Sequence, residues 1–214
     1  VSLDKKLLSL VRRPKALKCL IYSKHLEVAG FNVAEPVFAL AYTKGFFEKE
    51  SIFVMKKYLG INFREYLNSS DSDLNKEKAI LSFTSTIGDF YKNGFIHGDP
   101  NLENFIINEE NGQYNFGFID VDQIFRRLPS QKAVLQSIGK LYCFAYCFFS
   151  DSNPRVVNSE EKIMFYLSSI LKSYNPRINI DYARLIAGKA AVKVLLHWNC
   201  SGLVRNSNLL KKYI

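Results

Sequence analysis

Asn111-Gly112 stands between two short apolar runs, Phe105-Ile106-Ile107 and Tyr114 to Ile119. Asn followed by Gly accepts the positive φ values of a two-residue hairpin turn, whose twist suits the strands it joins. The two runs are therefore predicted to pair, and whatever flanks them must meet at the open end of the hairpin. The flanks are polar: Ile96-His97-Gly98-Asp99-Pro100-Asn101-Leu102-Glu103-Asn104 comes before, and Asp120-Val121-Asp122 after. Asp99 and Asn104 lie five apart across a tight loop and can point into one cleft. Asp120, at the end of the returning strand, meets Asn104 from the opposite side.

Around this hairpin the chain divides into a strand-bearing start and a helical body. Residues 14–30 read as a helix with Leu17, Leu20, Ile21 and His25 or Leu26 on one face and Gly30 as its stop. Val33 to Tyr42 reads as extended, Lys44-Gly45 as a turn and Ser51 to Lys57 as a second strand, giving an earlier hairpin. Tyr58-Leu59-Gly60 follows, then a short helix through Phe63, Tyr66 and Leu67. Ser69 to Asp73 is a polar loop with cap candidates. Next comes a long helix with Ile80, Phe83, Ile87, Phe90 and Tyr91 at helical spacing and Gly94 at its end. Beyond Pro129 the pattern is helical, with Asn158 and Glu161 as a capping box and Asn175-Pro176 closing that helix. The expected class is α+β.

The balance of 29 Lys plus Arg against 20 acids gives a net charge of +9, which favours an anionic partner. No apolar run reaches the roughly 20 residues of a membrane-spanning helix. The opening VSLDKKLLSLVRR lacks the apolar core of a secretory leader, and the cysteines, read as free thiols, make the expected location reducing and cytoplasmic. Cys19, Cys143, Cys147 and Cys200 form no CxxC pair and read as free thiols. His25 and His197 have no metal-ligand partner at useful spacing. The aromatic stripe Tyr142–Phe149 reads as core.

The polar constellation suits one chemistry. Phosphoryl transfer needs a carboxylate to orient the acceptor hydroxyl and take its proton. It also needs oxygen ligands for a Mg²⁺ ion that neutralises the phosphates. At these residues the chain resembles the protein-kinase-like superfamily, whose catalytic loop is H-x-D-x-x-x-x-N and whose metal aspartate follows a strand. His97-Gly98-Asp99 and Ile119-Asp120-Val121-Asp122 are most similar to the bacterial lipopolysaccharide core kinases, the Kdo/WaaP family. The resemblance runs over roughly residues 14 to 150 and is strongest from 94 to 124.

That resemblance implies a two-lobed kinase-like fold, with a partial N-lobe at 1–60 and a helical C-lobe at 61–214. It makes Asp99 the catalytic base, Asn104 and Asp120 the Mg²⁺ ligands, and Asp122 a further metal or acceptor group. His97 becomes a structural brace of the catalytic loop. Tyr58, Leu59 and Gly60 fall where backbone groups of a hinge meet adenine. The implied cofactors are ATP and Mg²⁺. The implied partners are a nucleotide and an anionic glycolipid or sugar acceptor (heptose or Kdo) at the inner-membrane surface, with no nucleic acid. Other readings of the motif are an aminoglycoside- or choline-kinase-like enzyme, a Rio/Bud32-like protein kinase and a non-catalytic pseudokinase.

Two features of that pattern are missing. The helix at 14–30 has Glu27 as its only glutamate, near its end, where a kinase places one mid-helix to hold an ATP lysine. The thirteen residues before Pro14 contain no glycine, so the expectation is that glycine-rich strands lie upstream of Val1 or that the chain is a degenerate relative. The ATP lysine is then unassigned, with Lys5, Lys6 and Lys15 as substitutes. Missing strands would bare an apolar sheet face near Phe38, Leu40, Phe53 and Met55, and self-association is expected.

Overall fold

The structure, a computed structural model, describes residues 14–44, 47–126, 130–152, 160–207 and 210–214. Readings at 1–13 (Lys5 and Lys6 included), Gly45, Pro129 and Asn158 lie outside them. Helix α1 (Lys15–Val28) opens the described chain and is followed by β1 (Asn32–Val33), β2 (Pro36–Lys44) and β3 (Phe47–Met55). Then come β4 (Ile61–Asn62), α2 (Phe63–Asn68), α3 (Asp73–Lys92), β5 (Phe95–His97), β6 (Phe105–Glu110), β7 (Gln113–Phe118) and β8 (Ile124–Arg126). Helices α4 (Gln131–Ser152), α5 (Glu160–Tyr174), α6 (Ile180–His197) and α7 (Ser201–Asn206) form the remaining body. The α+β expectation holds: a two-stranded sheet and one helix stand beside a mainly helical mass.

Short polar side chains cap the helices, Ser72 within the loop read as holding caps and Asn62 outside it. Asn62 Oδ1 accepts from the Glu65 N–H at 2.8 Å, and Ser72 Oγ from the Asn75 N–H at 3.2 Å, starting α2 and α3. Gly94, at φ 82°, closes α3 in the left-handed conformation a side chain resists. Asn111 and Gly112 turn the β6–β7 hairpin at φ 53° and 75°. The strands pair antiparallel with Phe105 opposite Phe118 and Ile107 opposite Phe116. These four side chains face a buried aromatic cluster. Phe90 stacks on Phe118 at 4.8 Å and on Phe95 at 5.4 Å, while Phe83 meets Phe105 at 4.9 Å and Phe116 at 5.2 Å. Short strands β1 and β4 flank the hairpin, so both loops at its open end spring from a rigid, filled sheet.

Two readings of faces are corrected. Helix α1 buries Ala16, Cys19, Ser23 and Leu26, while Leu17 is 40% exposed. Its inward stripe keeps helical spacing but is built of small residues, so the larger Leu17, Leu20 and Ile21 drew the hydrophobic pattern one position round. In the β2–β3 hairpin, Ala39 pairs with Phe53 and Leu40 with Ile52. Neighbours along a strand point to opposite faces, so Phe38 and Leu40 share a face with Ile52, and Phe53 lies on the other. Phe53 packs against the core, whereas Phe38, Leu40 and Ile52 are exposed at 44, 60 and 56%.

Helices α4 and α6 cross at close range because residue 139 is glycine. A Cβ there would lie 2.3 Å from the Ala187 carbonyl oxygen and 2.7 Å from the Ala190 methyl. Gly139→Ala tests this crossing. Helix propensity alone would raise stability by about 1 kcal/mol, but a backbone oxygen cannot yield as a flexible side chain does. Overpacking of this kind costs about 1–3 kcal/mol, so a lower midpoint is expected in thermal denaturation. A higher midpoint would show that the helices are not in contact there.

Candidate functional site

The polar loop between β5 and β6 is built by short-range backbone and side-chain bonds. The Asn104 amide Nδ2 donates to the Asp99 carbonyl oxygen at 2.9 Å, drawing the loop into a closed turn. The Asn101 N–H donates to the same oxygen at 2.9 Å. The loop is then tied to the far side of the hairpin. The Ile119 N–H donates to the Asn104 carbonyl at 3.0 Å, and the Gly98 N–H to the Gln123 carbonyl at 2.8 Å. Strands β5 and β8 pair, setting His97 opposite Ile124. The loops carrying Asp99 and Asp120 are thus cross-linked at two points.

His97 is 1% exposed and lies with its ring centroid 5.7 Å from that of Phe105. Its Nδ1 accepts from the Asp99 N–H at 3.2 Å, so its proton resides on Nε2, which has no hydrogen-bond partner among the described residues. The His97 carbonyl accepts from Ser137 Oγ at 2.7 Å, and Ser137 is in turn bonded to the Tyr91 hydroxyl at 2.9 Å. Lys140 Nζ donates to the Gly98 carbonyl at 2.9 Å. Helices α3 and α4 therefore brace the loop from behind, through Tyr91, Ser137 and Lys140. The sequence marked Tyr91 only as a core position and gave no sign that any of the three braces the loop, because their partners are 40 or more residues away.

Asp120 is left-handed at φ 53° and ψ 46°, a conformation Asp tolerates better than most residues. Its carboxyl hydrogen-bonds to Asp122, and that bond, burial and repulsion by Asp122 push its pKa up to about 6. Burial also opposes charge on Asp122. Even so, its bonds from Asp120 and Lys15, with the nearby positive charges of Lys15 and Lys18, hold Asp122 below the usual carboxylate range. Lys15 Nζ lies 2.8 Å from Asp122 Oδ2, and Lys18 Nζ donates to the Asp122 carbonyl oxygen. Helix α1 thus grips the loop after β7 with lysines. Glu27 pairs with Lys24 at 2.7 Å on the exposed side.

The structure thus brings Asp99, Asn104, Asp120 and Asp122 to one end of the hairpin. Asp99 lies within electrostatic reach of Asp120. Among the described residues no group of three His, Cys, Asp or Glu forms a metal cluster, so any cation here would rest on two carboxylates and the Asn104 amide. Oxygen donors of this kind suit a hard divalent ion. Two carboxylates crowded together until the pKa of one is pushed up are also an arrangement that a divalent cation relieves.

Two openings flank this end. A cleft of about 260 Å³ between α1 and β3 is lined by Lys15, Cys19, Ser51, Phe53, Asp120 and Asp122. A groove of about 470 Å³ between α4 and α6 has Gly98 and Asp99 at its edge. The Tyr58–Gly60 segment covers the outer side of the hairpin. The Tyr58 ring lies where a Cβ on Gly117 would be 2.5 Å from it, and a Cβ on Gly60 would be 2.3 Å from the Ile107 carbonyl.

A small hairpin sheet, a helix leaning on it and a catalytic-type loop cross-linked to an Asp-bearing loop define a protein-kinase-like phosphotransferase fold. The family model described as "Lipopolysaccharide kinase (Kdo/WaaP) family" matches residues 5–156, and the chain belongs to that family. It is therefore a kinase that uses ATP and acts on the lipopolysaccharide core. No curated protein matches the chain. A solved structure described as "WaaP in complex with acyl carrier protein" aligns over 88% of this chain and 76% of its own, with a TM-score of 0.61. Identity between the two is 12%, so the likeness is one of fold. Among the described residues no helix is long and apolar enough to cross a membrane.

The buried imidazole has a measurable signature. Burial holds the His97 pKa down at about 4, against an ordinary 6.5. Between those values the unfolded chain binds more protons than the fold. The His97 contribution to stability is therefore intact above pH 6.5 and lost as pH falls towards 4, by about 3 kcal/mol in all. His97→Asn keeps an acceptor for the Asp99 N–H but cannot titrate. Urea unfolding at pH 7 and pH 4.5 should show wild type losing more stability than the variant on acidification. Equal losses would mean that the ring is not buried neutral.

Proposed function

We propose that the chain transfers the γ-phosphoryl group of ATP to a sugar hydroxyl of the lipopolysaccharide inner core, on a heptose or Kdo residue. Asp99 orients the acceptor hydroxyl and takes its proton. Asn104 and Asp120 hold Mg²⁺, and Asp122 supports them while being held in turn by Lys15 and Lys18. A bound Mg²⁺ supplies charge neutralisation of the phosphate oxygens. His97 acts as a brace, fixing the Asp99 backbone. The backbone at Tyr58, Leu59 and Gly60 meets adenine, and the two lobes divide at 1–60 and 61–214. The chain works at the cytoplasmic face of the inner membrane, where such an acceptor is held.

One observation carries this reading. Asp120 and Asp122 line the cleft beneath β3, Asp99 lines a separate groove between α4 and α6, and the two loops that carry them are bonded together. A phosphoryl donor and an acceptor approaching from these two openings meet at a single point. The groove beside Asp99 carries lysines, and among the described residues Asp99 is its one carboxylate. Aminoglycosides and choline are cationic, and such a surface repels them.

Asp99→Ala should lower turnover on dephosphorylated rough-type lipopolysaccharide by about 10²–10⁴-fold, the usual yield of general base catalysis, while nucleotide binding by calorimetry persists. Asp120→Ala should instead weaken Mg-nucleotide binding itself. Equal turnover by wild type and Asp99→Ala would overturn the base assignment.

A further inference from the structure

The groove beside Asp99 has a composition that selects among acceptors. On α4, Gln136, Lys140 and Phe144 recur every four residues and form one stripe. On α6, Lys193, Val194 and His197 recur at three and four and face them across the groove. The close approach at Gly139 holds the two helices together beneath, and the groove opens beside that crossing. Trp198 closes the far wall. It is the C-cap residue of α6, its N–H bonded to the Val194 carbonyl at 3.0 Å, and Asn199 at φ 59° ends the helix immediately after it. Its ring lies 5.0 Å from that of Phe144. The groove volume, about 470 Å³, is in the range of small-ligand sites.

The aromatic stripe read from sequence as core therefore divides. Tyr142, Cys143 and Tyr146 are buried, but Phe144 turns into the groove with His197 and Trp198. A half-exposed tryptophan resting on a phenylalanine offers a flat apolar wall to the apolar face of a sugar ring. Lys140 uses one N–H on the Gly98 carbonyl and keeps two for a ligand. Lys193 is exposed on the same groove, and among the described residues no acid other than Asp99 lines it. An anion placed against Asp99 would be repelled, so the anion and the reacting hydroxyl must occupy different parts of the groove.

We propose that the Lys140–Lys193–Trp198 groove is an acceptor subsite for a sugar carrying a negative group, a carboxylate or a phosphate, at a distance from the hydroxyl that faces Asp99. This rests on the kinase reading above, which already expects an anionic acceptor, and adds to it the residues that select the anion and the ring. The lysines take the anion as point charges. The wall of Phe144 and Trp198 takes the ring.

Trp198 is the single tryptophan of the chain, so its fluorescence reports the groove alone and needs no phosphoryl transfer. The 214-residue protein is titrated with a free ulosonic acid, a sugar phosphate, an uncharged methyl glycoside and inorganic phosphate. Either or both charged sugars should give a saturable change, identifying the anion as carboxylate or phosphate. The uncharged glycoside should bind at least tenfold more weakly. Lys193→Glu should weaken the charged sugars at least tenfold, and Lys193→Arg should keep them. Equal binding of the uncharged glycoside, no saturable change, or an unaffected Lys193→Glu would each overturn the subsite, and phosphate matching the charged sugars would reduce it to an anion site without sugar recognition. Acceptor kinetics separate the two layers. Saturable binding by a chain that phosphorylates no lipopolysaccharide keeps the subsite and refutes the lipopolysaccharide reading. Transfer with an unchanged acceptor KM in Lys193→Glu keeps the kinase and refutes the subsite.

Discussion

The pairing of Phe105 with Phe118 fixes everything chemical in this chain. It sets Asn104 beside Ile119, and the 3.0 Å bond between them extends the ladder one step into the polar loops. A slip of one residue would turn Phe105, Ile107, Phe116 and Phe118 out of the aromatic cluster and flip each side chain to the other face. Loss of a buried phenylalanine costs about 3–5 kcal/mol, so the register is strongly held. The carboxylates inherit that precision although they make few strong contacts of their own. Phe31 reinforces it, meeting Phe90, Phe95 and Phe118 edge-on, each at 5.8 Å.

Asp122 gives the lysines of α1 a structural task. At 7% exposure the residue cannot remain ionised without a partner. Lys15 supplies charge and Lys18 caps the carbonyl. The Lys15 side chain is itself 66% exposed, so water screens the pair and its direct worth is modest. Its structural effect is larger. Without it, a nearly buried carboxylate would face Asp120 with less compensation, and the two acids would push apart.

Local patterns were readable and long-range ones were not. The Asn111-Gly112 turn, the Ser72 cap and the α3 face from Ile80 to Tyr91 all depend on neighbours within a few residues. The polar loop and the two aspartates follow from the hairpin, because a turn brings its own flanks together. Hydrophobicity misplaced the α1 face, since Ala16, Cys19 and Ser23 are small enough to pack closely yet carry little apolar signal. The Lys15–Asp122 contact spans more than a hundred residues, and no spacing rule reaches so far. The Phe144–Trp198 wall was hidden for the same reason, because a helical aromatic stripe does not say which of its members the next helix leaves uncovered.

The position of α1 has a mechanical consequence. It packs beside the β2–β3 hairpin, with Ala16 and Cys19 across a cleft from Ser51 and Phe53, and through Lys15 and Lys18 it grips the loop of Asp122. Hairpin and loop therefore share one beam. The width of the opening between β3 and the paired acids is set by where that single helix rests.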